Sequence, residues 1–288
     1  MTRWRLIFLC TLVLVAAGVV ALWQSGPQEP VYQGKKLFEW INEAGSDPTY
    51  AQTEQARIAI NAIGTNAIPY LLSEFAARQS RLATLWSEWA SRKTGLDFGF
   101  DEGYPRRGRA LMGFNFLGTN ATAAVPALLT YLDDDECRIH AALAIRGCGE
   151  MALPYLLKAS ASTNVLIHRG VIMVLGLLAQ RTEAAIPPLI ALTQHTNEGT
   201  RGLAAFGLRD VRLQADLVIP ALVRTLADTN VYVQQMAAFS LSQMGKRAKE
   251  AVPDLLLMMQ DTNLTRVSWA SNALFQIDPT ALPRAAAP

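Results

Sequence analysis

The sequence predicts an all-α fold, an α-solenoid in which short helical hairpins stack against one another along the chain. The first observation is a repeated phrase, an apolar residue and a proline, each copy of which is predicted to open an amphipathic helix. The second is its regular spacing, with a period of about 33 residues from Pro154 to Pro253. The prolines of the seven copies are Pro69, Pro126, Pro154, Pro187, Pro220, Pro253 and Pro283. A fixed period of this length indicates stacked units that bury their apolar faces on their neighbours.

Residues 124–149 contain one complete unit. Apolar side chains at helical spacing predict a first helix, and Pro126 falls in its first turn, where a missing N–H costs little. The acidic run 133–136 separates this helix from a second one, which ends at Gly149. One face of the second helix is formed by Cys137, Ala141, Ala144, Ile145 and Cys148. We expect both cysteines to be core residues, because the helix between them, about 16 Å long, separates them too far for a disulfide.

The turn between the two helices of a unit also repeats. Four polar triplets end in an asparagine at this same period, at Asn164, Asn197, Asn230 and Asn263. Short polar side chains of this kind cap helices and tolerate turn geometry, so no further role is needed to explain them. His195 stands where the other triplets begin with Ser162, Asp228 or Asp261. It is therefore predicted to be one more capping residue.

This phrase resembles the HEAT repeat, including the short bacterial variety that is also found in phycobilin lyases. The resemblance covers roughly residues 51–283 and rests on the second helix of each unit, with matches such as Arg138, Ala141-Ala142 and Cys148-Gly149, or Arg201 and Ala204-Ala205. It implies the fold and says little about function, since the family is defined by packing positions. It also implies a structural ladder of arginines and aspartates between neighbouring turns. That ladder should be incomplete here, because the arginine position holds His168, Gln234 and Val267 in three units.

The N-terminal end of the array and one long step within it predict two further structural features. Leu37, Trp40, Ile41 and Ala44 have helical spacing and predict a helix that closes the first repeat, with Trp40 as a structural cap. The unusually long step between Pro69 and Pro126 predicts an insertion at about 79–106, rich in aromatic residues and glycines. Insertions in solenoids map to one face. Its aromatic residues either contribute to a working surface or extend a helix and pack on it.

The N-terminal part of the chain predicts export. Residues 6–23 contain no charge and are long enough to span a bilayer, while Arg3 and Arg5 precede them. Residues 1–23 are then either a transmembrane anchor or a cleaved signal segment, followed by a linker at 24–34 and the repeat array at 35–288. The anchor gives a single-pass membrane protein whose C-terminal solenoid lies outside the cytoplasm. Cleavage instead gives a secreted or periplasmic protein.

Charge and motif content exclude several function classes. The chain of 288 residues is 51% apolar with a net charge of +2, and removing Arg3 and Arg5 leaves 24 basic and 24 acidic residues. A nucleic-acid-binding protein normally has a basic excess, so we expect no nucleic-acid partner. The three histidines form no zinc, iron or haem motif, and no phosphate loop or nucleophile elbow is present. We therefore predict no metal, no cofactor and no enzymatic activity.

One row of the second helices predicts a binding surface. On a helical wheel Leu143 lies opposite the apolar core face, and its equivalents in the next units are Met173, Phe206 and Phe239, with Asn272 at the end of the row. Three arginines lie beside this row, namely Arg146, Arg169 and Arg209. These seven side chains, Leu143 to Phe239 with the arginines, would form a groove for a peptide. The alternative is that curvature of the solenoid buries the row as ordinary packing.

The predicted function is therefore a non-enzymatic scaffold that binds a protein or peptide partner through the concave surface of the repeats. An accessory subunit of an envelope enzyme or transporter complex is an alternative, and an enzyme similar to phycobilin lyases is a distant one.

Overall fold

A computed structural model describes residues 27–45, 49–77, 89, 92–93, 103–162 and 164–282. The predicted anchor or signal at residues 1–23 and most of the predicted insertion lie outside the described residues. The chain forms two compact units, Met1–Ala124 and Val125–Pro288.

The first unit opens with a short β-hairpin, which the sequence analysis did not predict. Strands β1 (Val31–Tyr32) and β2 (Lys35–Lys36) pair antiparallel. Gln33 and Gly34 between them both have positive φ, 50° and 79°, as a tight hairpin turn requires. Helix α1 (Leu37–Glu43) follows, and its Trp40 indole N–H donates to the Tyr32 carbonyl at 3.2 Å. The predicted face of this helix is buried, and Trp40 joins it to the hairpin as a structural residue.

The described part of the first unit also contains three longer helices, namely α2 (Tyr50–Ile63), α3 (Ile68–Ala76) and α4 (Gly103–Leu117). Helices α3 and α4 form the hairpin that the insertion separates, and the last part of the predicted insertion, 103–106, belongs to α4. Phe75 and Phe114 meet edge to face between these helices, with ring centroids 6.2 Å apart. Arg106 forms an ion pair with the buried Glu74 at 2.6 Å.

The second unit consists of five consecutive helical hairpins. In each of them the second helix is longer than the first. In chain order the pairs are α5 (Val125–Thr130) with α6 (Arg138–Gly147), α7 (Leu153–Ala159) with α8 (Val165–Ala179), α9 (Ile186–Leu192) with α10 (Glu198–Gly207), α11 (Ala215–Leu226) with α12 (Val231–Met244), and α13 (Val252–Met258) with α14 (Leu264–Ile277). Helix α11, with 12 residues, is the longest of the five first helices.

Each second helix packs on the second helix of the next hairpin, from α6 through α14, and this stacking makes the unit an α-solenoid. The predicted core face of α6 is fully confirmed, since Cys137, Ala141, Ala144, Ile145 and Cys148 are all buried. Burial raises the pKa of the Cys148 thiol to about 11, so this side chain behaves as a small apolar residue. Gly149 follows α6 with a φ of 61°, the left-handed conformation that ends a helix most readily at glycine.

The asparagine caps recur as predicted. The side-chain oxygen of Asn164 accepts from the Leu166 N–H at 2.9 Å, and that of Asn197 accepts from the Thr200 N–H at 3.0 Å. Asn230 and Asn263 do the same at the starts of α12 and α14. The period of these asparagines is thus the period at which second helices begin.

The expectation that every repeated proline opens a helix is wrong for Pro220. It lies inside α11, which begins at Ala215 after Gln214 in a left-handed conformation (φ 47°). A proline inside a helix leaves the carbonyl four residues earlier without its N–H partner. That residue is Asp216, which is exposed, so water can satisfy its carbonyl. The extra turn of helix is therefore tolerated at this place.

Candidate functional site

The row predicted from the helical wheel lies at the surface of the second unit. Leu143 on α6, Met173 on α8 and Phe206 on α10 are half-buried, and Phe239 on α12 is 42% exposed. Asn272, which ends the row on α14, is exposed. The curvature of the stack therefore does not bury this row as core packing, and its apolar side chains are accessible.

Two of these side chains form an aromatic stack across neighbouring helices. The rings of Phe206 and Phe239 are nearly parallel, with centroids 5.8 Å apart and an interplanar angle of 16°. The guanidinium carbon of Arg209 lies 3.9 Å from the centroid of the Phe206 ring, within the range of a cation–π interaction. Arg209 also forms an ion pair with Asp210 at 3.0 Å. A positive charge is thus held directly against the aromatic part of the row.

A groove of about 430 Å³ lies along α6, α8 and α10. Its lining is mainly apolar and includes five of the seven predicted residues, namely Leu143, Arg169, Met173, Phe206 and Arg209. Arg146 and Phe239 are not part of this lining. The helices α8 and α10 approach closely at Gly176 and Gly207, because a Cβ added to Gly176 would lie 3.0 Å from the Gly207 Cα. We call this depression the groove.

The rim of the groove is positively charged. Arg169 is exposed, and in the described part of the chain it forms no ion pair. Burial lowers the pKa of the Arg146 guanidinium, and the positive charge of Arg181 lowers it further. An arginine that is destabilised by burial and by another cation is stabilised when an anion approaches. The groove lining itself combines apolar side chains with the arginines Arg169 and Arg209.

A second group of polar residues lies at the turns, where two positions of the repeat pair up. One position is four residues after the capping asparagine, and the other is two residues before the capping asparagine of the next hairpin. Arg201 and Asp228 occupy these positions and form two hydrogen bonds, at 2.6 and 2.9 Å. These bonds from Arg201 hold the pKa of the Asp228 carboxyl below its usual range. We call such a pair of positions a rung.

Other arginine positions bind the turn of their own hairpin. Arg138 donates to the Leu132 carbonyl at 2.8 Å, and the Gln234 amide donates to the Asp228 carbonyl. Val267 cannot do so, and the neighbouring Arg266 forms an ion pair with Asp261 instead. The predicted interruption of the arginine–aspartate ladder is therefore confirmed, although Gln234 retains part of the role of the arginine.

Histidines occupy both positions of the preceding rung. His195 accepts from the Asn197 N–H through Nδ1 at 3.1 Å, which confirms the prediction that it is a capping residue. His168 contacts the Ser160 carbonyl through Nδ1 at 2.8 Å and the Thr200 hydroxyl through Nε2 at 2.9 Å. The two rings lie side by side, with centroids 5.4 Å apart.

The sequence analysis missed the partnership between His168 and Thr200. Thr200 is only 4% exposed and stands one repeat period before Val233, which is a buried apolar residue. The sequence does contain a signal for this pair. Thr200 stands where the neighbouring units have Ile167 and Val233, and the unit before it has His168 at the arginine position. Buried polar groups are hydrogen-bonded, so the two substitutions compensate each other.

The described residues contain neither a candidate metal site nor a candidate membrane span. Among the residues that the structure describes, no cluster of three or more His, Cys, Asp or Glu side chains could hold a metal ion. No helix within the same described ranges is both long and apolar enough to cross a bilayer. Residues 6–23, which carry the membrane prediction, lie outside those ranges.

Comparison with known proteins agrees with the fold. The family model for HEAT repeats matches residues 186–275, from the start of α9 to near the end of α14. The HEAT-repeat prediction is therefore confirmed, and this part of the chain consists of HEAT repeats. No curated protein gave a significant match.

Solved structures with a similar course of the chain are helical-repeat proteins. A designed armadillo repeat protein in complex with the peptide (KR)4 is 15% identical, with a TM-score of 0.39, covering 85% of this chain and 100% of that chain. Computationally designed armadillo repeat proteins for modular peptide recognition are 14% identical, with a TM-score of 0.39, covering 84% and 100%. Likeness at this level is reported for the fold, and nothing about binding follows from it.

Proposed function

We propose that this protein is a non-enzymatic scaffold that binds a protein partner through an extended peptide segment lying in the groove. The observation that carries the proposal is the accessible row of Leu143, Met173, Phe206 and Phe239 beside arginines. Apolar side chains of this size give buried area on binding, and arginine gives polar anchoring. The fold itself is of a kind that supports binding rather than catalysis, because its working surface repeats along the stack.

The chemistry of the groove argues for an acidic and apolar segment. The described lining of the groove includes Arg169 and Arg209 and contains no carboxylate. Arg209 is already partly neutralised by Asp210, which leaves Arg169 as the strongest attraction for a carboxylate of the partner. An acidic residue flanked by large apolar residues would match this arrangement.

The test uses a display library of random peptides selected on the purified full-length chain. We expect enrichment of peptides that combine Asp or Glu with large apolar residues. A synthetic copy of an enriched peptide should bind the variant Phe206→Asp/Phe239→Asp at least tenfold more weakly, because carboxylates placed on the row repel the peptide and remove its apolar contacts. Binding is measured by calorimetry.

The matched control is Leu217→Asp/Leu257→Asp, which adds the same two charges at exposed positions on the first helices α11 and α13. This variant should bind the peptide as the unmodified chain does. Absence of any enriched peptide, or equal binding by both double variants, would refute the groove as a peptide site. Circular dichroism must show that Phe206→Asp/Phe239→Asp stays folded; a cooperative loss of helicity would assign the row to the core and likewise end the proposal.

We also propose that residues 6–23 direct the chain out of the cytoplasm, with the repeats on the outer side of the membrane. The support is the uncharged run itself together with Arg3 and Arg5 before it. A reporter that is active only in the cytoplasm, fused after Pro288, should be inactive. Activity of that reporter would overturn the orientation.

A further inference from the structure

A second cavity, of about 450 Å³, lies at the rung that carries the two histidines. It is bounded by His168, His195 and Arg169 on its polar side and by apolar and aromatic side chains elsewhere. We call it the histidine pocket. It adjoins the groove, because Arg169 and Leu203 line both.

The repeat itself indicates what this pocket lacks. His168 and His195 stand one repeat period before Arg201 and Asp228, the rung that is closed by an ion pair. The carboxylate of that ion pair has no counterpart in the histidine pocket, whose described lining contains neither aspartate nor glutamate. The rung of His168 and His195 is therefore built without an acidic residue.

Gly199 adds space to the histidine pocket. Gly199 stands where the neighbouring second helices α8 and α12 carry Leu166 and Tyr232. The missing side chain leaves space between the starts of these two helices, and Tyr232 closes one side of it. Its ring lies against Gly202, where an added Cβ would come within 2.3 Å of the ring. The walls thus include Val165, Leu203 and the Tyr232 ring, which suit an apolar or aromatic body.

Two donors remain for a ligand. Nδ1 of His195 accepts from the Asn197 N–H, so in the neutral ring the proton is on Nε2, which has no partner among the described residues. Arg169 has no ion pair within the same part of the chain. His168 is a positioning residue only, because both its nitrogens already contact Ser160 and Thr200.

We infer that the histidine pocket binds a carboxylate attached to an apolar or aromatic group, beside the rung whose two positions carry no acid. Arg169 and the Nε2–H of His195 hold the carboxylate, and Val165, Leu203 and Tyr232 contact the apolar body. The carboxylate is that of a free small acid or of the C-terminal residue of a polypeptide. This site shares Arg169 and Leu203 with the groove but does not require the proposed peptide function of the groove.

The experiment measures binding of 3-phenylpropanoate and of its amide to the purified full-length chain by ligand-observed NMR. We expect a dissociation constant on the order of 1 mM for the acid, as befits a ligand of this size, and at least tenfold weaker binding of the amide. The variant His195→Asp should bind the acid at least tenfold more weakly, because it puts into the pocket the carboxylate that other rungs carry. Equal binding of acid and amide, or unchanged binding by His195→Asp, would overturn the inference.

His195→Asp should fold normally, since aspartate occupies the same position at Asp228 and Asp261 and can accept from the Asn197 N–H in the same way. The matched control is Gln243→Asp, which adds the same charge at an exposed position outside the pocket and should leave binding unchanged. Phe206→Asp/Phe239→Asp should retain binding of the acid within about threefold, although it loses the groove peptide. Loss of the acid in that double variant, with retention in His195→Asp, would place the acid in the groove and refute the pocket.

N-acetyl-phenylalanine distinguishes the two sources of the carboxylate. Tighter binding of this compound than of 3-phenylpropanoate supports the pocket as a receptor for a polypeptide C-terminus. Equal or weaker binding supports it as a receptor for a free acid. Failure of both acids to bind would overturn the inference and would leave the proposed function of the groove untouched.

Discussion

Two neighbouring rungs of the same solenoid solve one structural problem in different ways. The rung of Arg201 and Asp228 joins successive turns with a charged pair whose side chains are 16% and 12% exposed. The rung of His168 and His195 joins them through a tilted contact between the two rings and a hydrogen bond to Thr200. The histidine pocket lies beside this second rung. Departures from a repeat pattern thus indicate where a repeat protein has room for a ligand.

The largest effect should come from breaking the charged rung with Arg201→Met. Arg201 donates twice to Asp228 and once each to the His195 and Thr196 carbonyls, both at 3.0 Å. Removing one partner leaves a mostly buried carboxylate uncompensated, so we expect a loss of about 2–3 kcal/mol in the free energy of unfolding. Urea denaturation of the full-length chain measures it.

The control for Arg201→Met is Arg212→Met, at an exposed position without an ion pair among the described residues. It should change stability by less than about 0.5 kcal/mol. A loss below about 1 kcal/mol for Arg201→Met would mean that the charged rung contributes no more than an ordinary surface ion pair.

Low pH should remove the stabilisation of the fold that the ion pair of Arg201 and Asp228 provides. The pKa of Asp228 is lowered in the folded chain, chiefly by its hydrogen bonds from Arg201, so the pair stabilises the fold above the unfolded-state pKa of about 3.9. That stability is lost as the pH falls through the lower folded-state pKa. The difference in unfolding free energy between the unmodified chain and Arg201→Met should therefore be constant from about pH 5 to 8 and shrink below about pH 4. A difference that stays independent of pH down to about pH 2.5 would contradict this origin.

The sequence predicts the parts of this fold that depend on periodic packing. The buried faces of α1 and α6, the asparagine caps and the position of the apolar row all follow from helical spacing and a fixed repeat period. It does not predict features that arise from contacts between repeats. The stack of Phe206 on Phe239, the bond of His168 to Thr200 and the early start of α11 at Ala215 depend on the distance between neighbouring helices, which a single sequence does not state.

The histidine pocket could not be predicted from the sequence for the same reason. Each of its determinants is visible in the sequence as an exception to the repeat, at His168, His195, Gly199 and Thr200. Read one at a time, these exceptions predict capping or packing, and for His195 that prediction is confirmed. The cavity forms only because these four residues lie next to one another in the folded chain, and that proximity depends on how the repeats stack.

The smallest effect should come from converting the histidine rung into a charged one with His168→Arg/His195→Asp. The first position of a rung already holds an arginine at Arg138 and at Arg201. The double variant should therefore fold, and its new arginine and aspartate should form an ion pair. The gain is offset because the Thr200 hydroxyl, 4% exposed, loses its partner, which costs about 1 kcal/mol. We therefore expect the double variant to lie within about 1 kcal/mol of the unmodified chain.

Adding Thr200→Val to this pair of changes separates the two contributions. Valine stands at the equivalent position as the buried Val233, so the triple variant removes the orphaned hydroxyl and should be about 1 kcal/mol more stable than the double variant. Thr200→Val alone should instead destabilise the chain, because it leaves Nε2 of His168 without its partner. Opposite signs of the same substitution in the two backgrounds, measured by urea denaturation, would demonstrate that His168 and Thr200 act as a unit. Equal effects in both backgrounds would mean that His168 and Thr200 contribute to stability independently of each other.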